Sequence, residues 1–159
     1  MIRNLKKNGF CNEELVTVYK TMIRPVFGYG CVVYHSSLTD AQDELLERLQ
    51  SHTLKAIFGV GPSAREVRQL ANIETLRSRR EDLCDKFIQK CLHDPRFQHW
   101  FPLRKGRRSS RRGAEMYREE TARCKRLFDS PLLYFRRRLN GKVGKTYGSR
   151  NTEYRTDPS

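Results

Sequence analysis

Two clusters of basic side chains have the residue types and spacing that could bind another molecule. Residues 104–112 hold six basic side chains and no apolar one, and residues 136–138 hold three consecutive arginines. The members are Arg104, Lys105, Arg107, Arg108, Arg111, Arg112, Arg136, Arg137 and Arg138. Because a guanidinium group donates paired hydrogen bonds to phosphate oxygens, both clusters predict contact with a nucleic-acid backbone. Such contact requires no readout of base sequence.

Aromatic residues are interleaved with the second cluster, as stacking on unpaired bases requires. They are Phe128, Tyr134, Phe135, Tyr147 and Tyr154. A run of charges also has a plainer interpretation, because such runs are often solvated tails or nuclear-import signals. Both interpretations stay open from these residues alone.

The remaining side chains indicate no enzyme. The sequence contains no glycine-rich phosphate loop, no G-x-S-x-G, no H-E-x-x-H and no two adjacent aspartates. Phosphoryl transfer with two metal ions requires carboxylates that converge on the cations, and no such set can be assembled from this sequence. We therefore expect no catalytic residue, no metal, no cofactor and no small-molecule substrate.

The five cysteines indicate packing rather than metal binding. Cys84 and Cys91 are seven residues apart, hence on one side of a helix, but no C-x-x-C motif accompanies them. We expect them to be small apolar side chains in a core. An odd number of cysteines without a secretory signal predicts reduced thiols in an intracellular protein, and the basic clusters favour the nucleus. The longest apolar stretch, nine residues broken by two glycines, is too short to span a membrane.

Charge is distributed unevenly along the 159 residues. The chain carries 32 basic and 18 acidic residues, a net charge of +14, yet residues 1–103 contribute only +3 and residues 104–159 contribute +11. This division predicts four segments: a helical module over 1–103, a basic linker over 104–113, a basic helical extension over 114–140 and a disordered tail over 141–159.

Apolar periodicity predicts an all-α fold, namely a small bundle of about four helices followed by a basic, partly disordered extension with one or two short helices. The first helix begins with Asn12 as N-cap and buries a face at helical spacing, with a kink near Pro25. That face consists of Leu15, Tyr19, Met22, Val26 and Tyr29. Lys20 and Arg24 share another face of this helix and are further candidates for nucleic-acid contact.

Later helices are bracketed by capping residues. Thr39 with Gln42 forms a capping box for the second helix, and Ser63 with Glu66 forms one for the third. A fourth helix begins near Glu74 and ends at His93, with Arg77, Arg80 and Lys90 expected on its outer face. A helical stretch is expected over 114–128. Another short helix follows Ser130 and Pro131, with its apolar residues on one side and Arg136 to Arg138 on the other.

Four segments resemble the thumb region of reverse transcriptases from non-LTR retrotransposons, the jockey-like and long interspersed elements. Residues 19–30 resemble Y-x-x-x-[IV]-R-P-x-x-x-Y-G, and residues 73–80 resemble L-x-S-L-x-x-R-R. Leu46, Leu49, Gln50, Leu54 and Ile57 are similar to a second thumb helix, and 130–140 to a closing segment of some of these reading frames. The order of the four segments matches the family.

The resemblance implies that 1–103 is a thumb-like module of an RNA-directed DNA polymerase. In the family, fingers and palm with metal-binding carboxylates precede this segment. We therefore expect a non-catalytic fragment that holds RNA or DNA non-specifically, as a template–primer duplex or as element RNA. The alternative is a basic-tailed helical interaction protein that serves nuclear docking or import and has no connection with a polymerase.

Overall fold

The computed structural model describes residues 1–59, 61–103, 117–118 and 120–141. Within these ranges the chain forms nine α-helices and no β-strand, so the predicted all-α class is confirmed. The helices are α1 (Ile2–Lys7), α2 (Asn12–Val18), α3 (Arg24–Gly28), α4 (Cys31–Tyr34), α5 (Asp40–Phe58), α6 (Ala64–Leu70), α7 (Leu76–His93), α8 (Lys125–Phe128) and α9 (Pro131–Leu139). The predicted linker 104–113, and the predicted tail beyond Gly141, lie outside the described residues.

The chain divides into two compact units, Met1–Asp85 and Lys86–Ser159, and the division falls within α7. In the first unit, α1, α2, α5 and α6 surround an apolar core. Its buried members are Ile2, Leu15, Tyr19, Leu54, Ile57, Val67, Ala71 and Ile73. Removal of these side chains from water is the main force that holds the short helices together, because helices of this length are marginal alone.

The predicted capping residues begin and end the helices of the first unit. The Thr39 hydroxyl accepts from the Gln42 N–H while the Gln42 side chain accepts from the Thr39 N–H, and Ser63 and Glu66 do the same for α6. Gly59 ends α5 with φ of 100°, a conformation that favours glycine. One cap differs from the prediction: Cys11, rather than Asn12, precedes α2.

A π-helical segment, Tyr19–Ile23, separates α2 from α3 and changes which residues are buried. A π-turn takes one more residue than an α-turn, so every later position rotates relative to an α-helical pattern. Leu15 and Tyr19 are fully buried as predicted. The predicted burial of Met22, Val26 and Tyr29 is wrong, since they are 63%, 71% and 86% exposed.

The second unit contains the 3₁₀ turn Pro95–Trp100 followed by α8 and α9. Its buried residues include Phe101, Phe128, Leu133 and Phe135. The predicted helix over 114–128 is wrong in its described part, where only Lys125–Phe128 is helical. The physical reason is found at Tyr117. Its backbone N–H donates to Asn140 Oδ1 and its C=O accepts from Asn140 Nδ2, both at 3.0 Å. Side-chain bonds of this kind compete with the backbone bonds of a helix.

Candidate nucleic-acid interface

The first basic surface lies on α1 and the C-terminal half of α5. Ile2 is buried and Leu5 is half-buried on the inner face of α1, which leaves Arg3, Lys6 and Lys7 exposed. Positions three and four apart share one side of a helix, so these three residues lie on the same side of α1. We call them, together with His52 and Lys55 of α5, the α1–α5 basic face.

Two contacts fix the α1–α5 basic face. Arg3 NH2 lies 3.5 Å from His52 Nε2, and Lys6 Nζ donates to the Ile57 carbonyl oxygen in the last turn of α5. That carbonyl is at the negative end of the α5 dipole, where a cation is favourable. Lys6 therefore has a structural partner, whereas the charges of Arg3 and Lys7 face outward.

The α1–α5 basic face has no acidic counterpart in the part of the chain that the structure describes. None of the described ion pairs includes Arg3, Lys6, Lys7 or Lys55. By contrast, the exposed Arg48 is paired with Glu44 at 2.7 Å. Clustered cations without neighbouring carboxylates attract polyanions, because phosphate binding then replaces counterions rather than existing ion pairs.

Lys20 and Arg24 were expected on one face, and the structure separates them. Lys20 is exposed in the π-helical segment. Arg24 is only 9% exposed, and its NH2 donates to Glu74 Oε1 at 2.8 Å. The extra residue in the π-turn rotates Arg24 inward, so its guanidinium is not available at the surface as the sequence interpretation supposed.

The three arginines of α9 are also placed differently from the prediction. Arg136 and Arg137 are 4% and 8% exposed, and Arg138 is half-buried. Arg136 Nε donates to the Trp100 carbonyl at 2.8 Å, and its NH1 bonds Glu120 Oε1 at 3.3 Å. Arg138 NH1 donates to the Tyr134 hydroxyl at 3.2 Å.

Arg137 contacts two backbone carbonyls and an aromatic ring. Its NH2 and Nε donate to the carbonyls of Phe128 and Leu133 at 2.5 and 3.3 Å. Its guanidinium carbon lies 3.7 Å from the centroid of the Phe128 ring, a cation–π contact. Arg137 therefore joins α8 to α9, and Arg136 and Arg137 both donate to backbone carbonyls, which is a structural use of residues predicted to bind phosphate.

The remaining predicted contacts lie in 104–112, outside the described residues; they are Arg104, Lys105, Arg107, Arg108, Arg111 and Arg112. On α7, Arg77 and Lys90 are exposed as expected. Arg80 is not, because it is 1% exposed and paired with Asp43. Burial lowers the pKa of the Arg80 guanidinium.

Three buried polar residues of the segments that resemble the family, Tyr19, Arg24 and Gln50, lie around Glu74 in the first unit, and we call them the buried network. The Glu74 side chain itself is 40% exposed and stands at a position that the motif leaves open. Glu74 accepts from Arg24 through its carboxylate, and its backbone carbonyl accepts from Gln50 Nε2 at 3.0 Å. The Tyr19 hydroxyl is buried without a hydrogen-bond partner among the described residues. Burial raises the pKa of Tyr19 to about 12. In this chain the motif residues link α3, α5 and the start of α7.

The described ranges contain no group of three or more His, Cys, Asp or Glu side chains that could hold a metal ion. All five cysteines are free thiols; Cys11 and Cys124 are exposed, and the rest are buried. In the same ranges, no helix combines the length and apolar character that crossing a membrane requires.

Sequence reasoning missed the α1–α5 basic face. The spacing of residues 2–7 indicated an amphipathic helix. Ile2 and Leu5 are three positions apart and share one face, while Arg3, Lys6 and Lys7 are three and four positions apart and share another. The contribution of His52 and Lys55 could not be predicted, because it depends on how α1 packs against α5.

Comparison of this chain with protein-family models, with curated proteins and with solved structures found no match.

Proposed function

We propose that this chain is a helical, non-catalytic segment of a retroelement reverse transcriptase that binds the backbone of an RNA–DNA or other nucleic-acid duplex. The observation that carries the proposal is the α1–α5 basic face, whose cations have no acidic counterpart among the described residues. A duplex presents phosphates at regular intervals, so a row of cations on one helix can contact it without reading bases.

The retroelement part of the proposal is supported by the buried network. Tyr19, Arg24 and Gln50 come from two segments that resemble the thumb region. Arg24 and Gln50 both bond Glu74, which lies in a third such segment at a position that its motif leaves open. Residues that lie together in a fold are expected to be kept together in a family. The basic residues of 104–112 add charge to the same chain and are proposed as a second point of contact with phosphates.

The binding test uses the full chain and a labelled RNA–DNA hybrid of mixed sequence. We expect a complex at micromolar protein and about 50 mM salt, with affinity that falls steeply as salt increases. A hybrid of scrambled sequence is expected to bind equally well. No complex under these conditions contradicts the proposal. Primer extension by the chain alone contradicts its non-catalytic character.

A second candidate function is an interaction protein for nuclear docking or import. It is favoured by exposed apolar side chains along the π-helical segment, α3 and α4. They are Met22, Val26, Tyr29 and Val33, each more than half exposed. Large apolar side chains grouped on a surface are typical of protein contacts.

The variant Val26→Glu separates the two candidates. Under the first, the hybrid is bound as by the wild type, because Val26 lies outside the α1–α5 basic face. Under the second, a protein partner that survives nuclease treatment in a pull-down is lost from this variant. Thr21→Glu, which places the same charge at an exposed polar position, is the matched control.

A further inference from the structure

The α1–α5 basic face contains one histidine, and that histidine contacts an arginine of the other helix. His52 of α5 and Arg3 of α1 are both exposed, and 3.5 Å separates His52 Nε2 from Arg3 NH2. A guanidinium has hydrogen-bond donors and no acceptor, so Nε2 must be the acceptor in this contact. The contact therefore requires a neutral imidazole ring whose proton is on Nδ1.

Other contacts keep α1 beside α5. Lys6 Nζ donates to the Ile57 carbonyl oxygen in the last turn of α5, and Ile2 packs in the apolar core. Neither contact involves His52, so both remain when the imidazole ring is protonated. Protonation then places a second cation 3.5 Å from Arg3 NH2, and like charges at this distance repel each other.

The charged neighbours of His52 on α5 and α1 are mostly cations. Arg48 and Lys55 lie one turn before and one turn after it on α5, and Arg48 is paired with Glu44. The charged residues of α1 are Arg3, Lys6 and Lys7. A phosphate bound at this face favours the protonated ring, because an opposite charge nearby stabilises an imidazolium.

The other helices that contact α5 give His52 no carboxylate partner within the described residues. α7 bonds α5 at Asp43 and Glu47, which lie more than one turn before His52. The charged residues of α2 and α6 are Glu13, Glu14, Arg65, Glu66 and Arg68. In the part of the chain that the structure describes, Arg3 is the one residue that bonds the His52 ring. A phosphate therefore meets no competing acid at this ring.

We propose that His52 is a proton-controlled phosphate contact of the α1–α5 basic face, an inference that rests on the proposed function. The neutral ring occupies one donor of Arg3. The imidazolium releases Arg3 and donates from both ring nitrogens, so the face offers phosphate one more charge and a freed guanidinium. Phosphate binding and proton uptake are then coupled, and each strengthens the other by the same factor.

The experiment measures the dissociation constant of the full chain for the RNA–DNA hybrid at about pH 8 and about pH 5.5, because imidazoles change charge in this range. At constant salt we expect binding at least several-fold tighter at the lower pH, with a log–log salt slope larger by about 1. His52→Gln retains an acceptor for Arg3 but cannot be protonated, so its dissociation constant is expected to be equal at both pH values. His93→Gln, the same substitution at an exposed histidine of the second unit, is the matched control and is expected to behave like the wild type.

The outcomes separate this inference from the proposed function. No complex at either pH contradicts the proposed function, and the inference with it. A complex with equal dissociation constants at both pH values overturns the role of His52 alone, as does a pH dependence that persists in His52→Gln or disappears in His93→Gln.

Nuclear magnetic resonance of the imidazole rings gives a second test of the coupling. At a pH where His52 is partly protonated, addition of the hybrid is expected to shift its ring signals towards their low-pH positions. The signals of His93 are expected to stay in place. Unchanged His52 signals in a chain that has bound the hybrid contradict the coupling of phosphate binding to proton uptake.

Discussion

Helices α1 and α9 each carry three basic residues, but the structure uses them in opposite ways. Arg3, Lys6 and Lys7 of α1 are exposed, and no described carboxylate pairs with them. On α9, Arg136 and Arg137 are buried and bonded to backbone carbonyls. The density of positive charge along a sequence therefore does not reveal which cations are available to a phosphate.

Spacing explains the difference. The cations of α1 stand at positions i, i+3 and i+4, which share one side of a helix, while Ile2 and Leu5 take the other. The arginines of α9 are consecutive and so point in directions about 100° apart. A helix packed in a small domain cannot expose all of these directions, so some of the arginines must be buried and find acceptors.

The largest loss of stability is expected when Arg80, which is buried in the first unit, is replaced. Arg80→Met removes the buried partner of the Asp43 carboxylate, whose side chain is only 17% exposed, and leaves it the exposed Arg77 at 3.5 Å. We expect a loss of about 3–5 kcal/mol in the free energy of unfolding. Arg48→Met removes an exposed pair and is the control, with an expected change within about 0.5 kcal/mol. Urea unfolding followed by circular dichroism measures both, and equal effects contradict the distinction between buried and exposed arginines.

A somewhat smaller effect is expected in α9. Arg137→Ala removes the side-chain hydrogen bonds to the carbonyls of Phe128 and Leu133 and the cation over the Phe128 ring. We expect a loss of about 2–4 kcal/mol in the free energy of unfolding, from the lost hydrogen bonds of a buried guanidinium and the lost packing. Trp100, the single tryptophan of the sequence, reports on unfolding of the second unit by fluorescence.

Lys125→Ala, at an exposed cation of α8, is the matched control for Arg137→Ala and is expected to change stability by less than about 0.5 kcal/mol. If Arg137→Ala behaves like this control, the α9 arginines are not structural. The α9 arginines are then again candidates for contact with phosphates, and they no longer differ from the cations of α1.

The smallest expected change in stability is the one that Tyr19 of the buried network causes at alkaline pH. Burial raises the pKa of Tyr19 from 10.0 to about 12, so the folded state holds its proton more tightly than the unfolded state. The associated stability is fully present below pH 10 and is lost as pH rises toward 12, in total about 2.7 kcal/mol. Tyr19→Phe is expected to flatten this part of the pH–stability profile.

Tyr29→Phe is the control for Tyr19→Phe, because Tyr29 is 86% exposed. Tyr29→Phe is expected to show the same pH–stability profile as the wild type. Near neutral pH, Tyr19→Phe is expected to be neutral or slightly stabilising, since the hydroxyl that it removes is buried without a partner among the described residues. A wild-type slope in Tyr19→Phe between pH 10 and 12 contradicts the assignment.

Local patterns predicted much of the fold. The capping boxes at Thr39 and Ser63, and the Ser130–Pro131 start of α9, were readable because each depends on a few adjacent residues. The π-helical segment was not, because α-periodicity assigns Met22 and Val26 to the core. The alternative set Ile23, Phe27 and Cys31 is equally apolar, and only the packed structure decides between the two.

The candidate site was less predictable than the fold. Lys20 lies at the surface as expected, while Arg24, Arg136 and Arg137 are buried, because tertiary contacts decide the partner of a guanidinium. The α1–α5 basic face joins residues about 50 positions apart, such as Arg3 and His52. A charge pattern within one segment cannot reveal a surface assembled from two helices.

The most direct test measures the dissociation constant for an RNA–DNA hybrid as a function of salt. Arg3→Gln/Lys7→Gln removes two unpaired cations, and Arg48→Gln/Arg77→Gln removes the same charge from cations that the structure pairs with acids. We expect the log–log slope of the first variant to fall by about 2 in magnitude, and that of the second to change by less than about 0.5. Equal slopes for both variants contradict the claim that the α1–α5 basic face contacts phosphates.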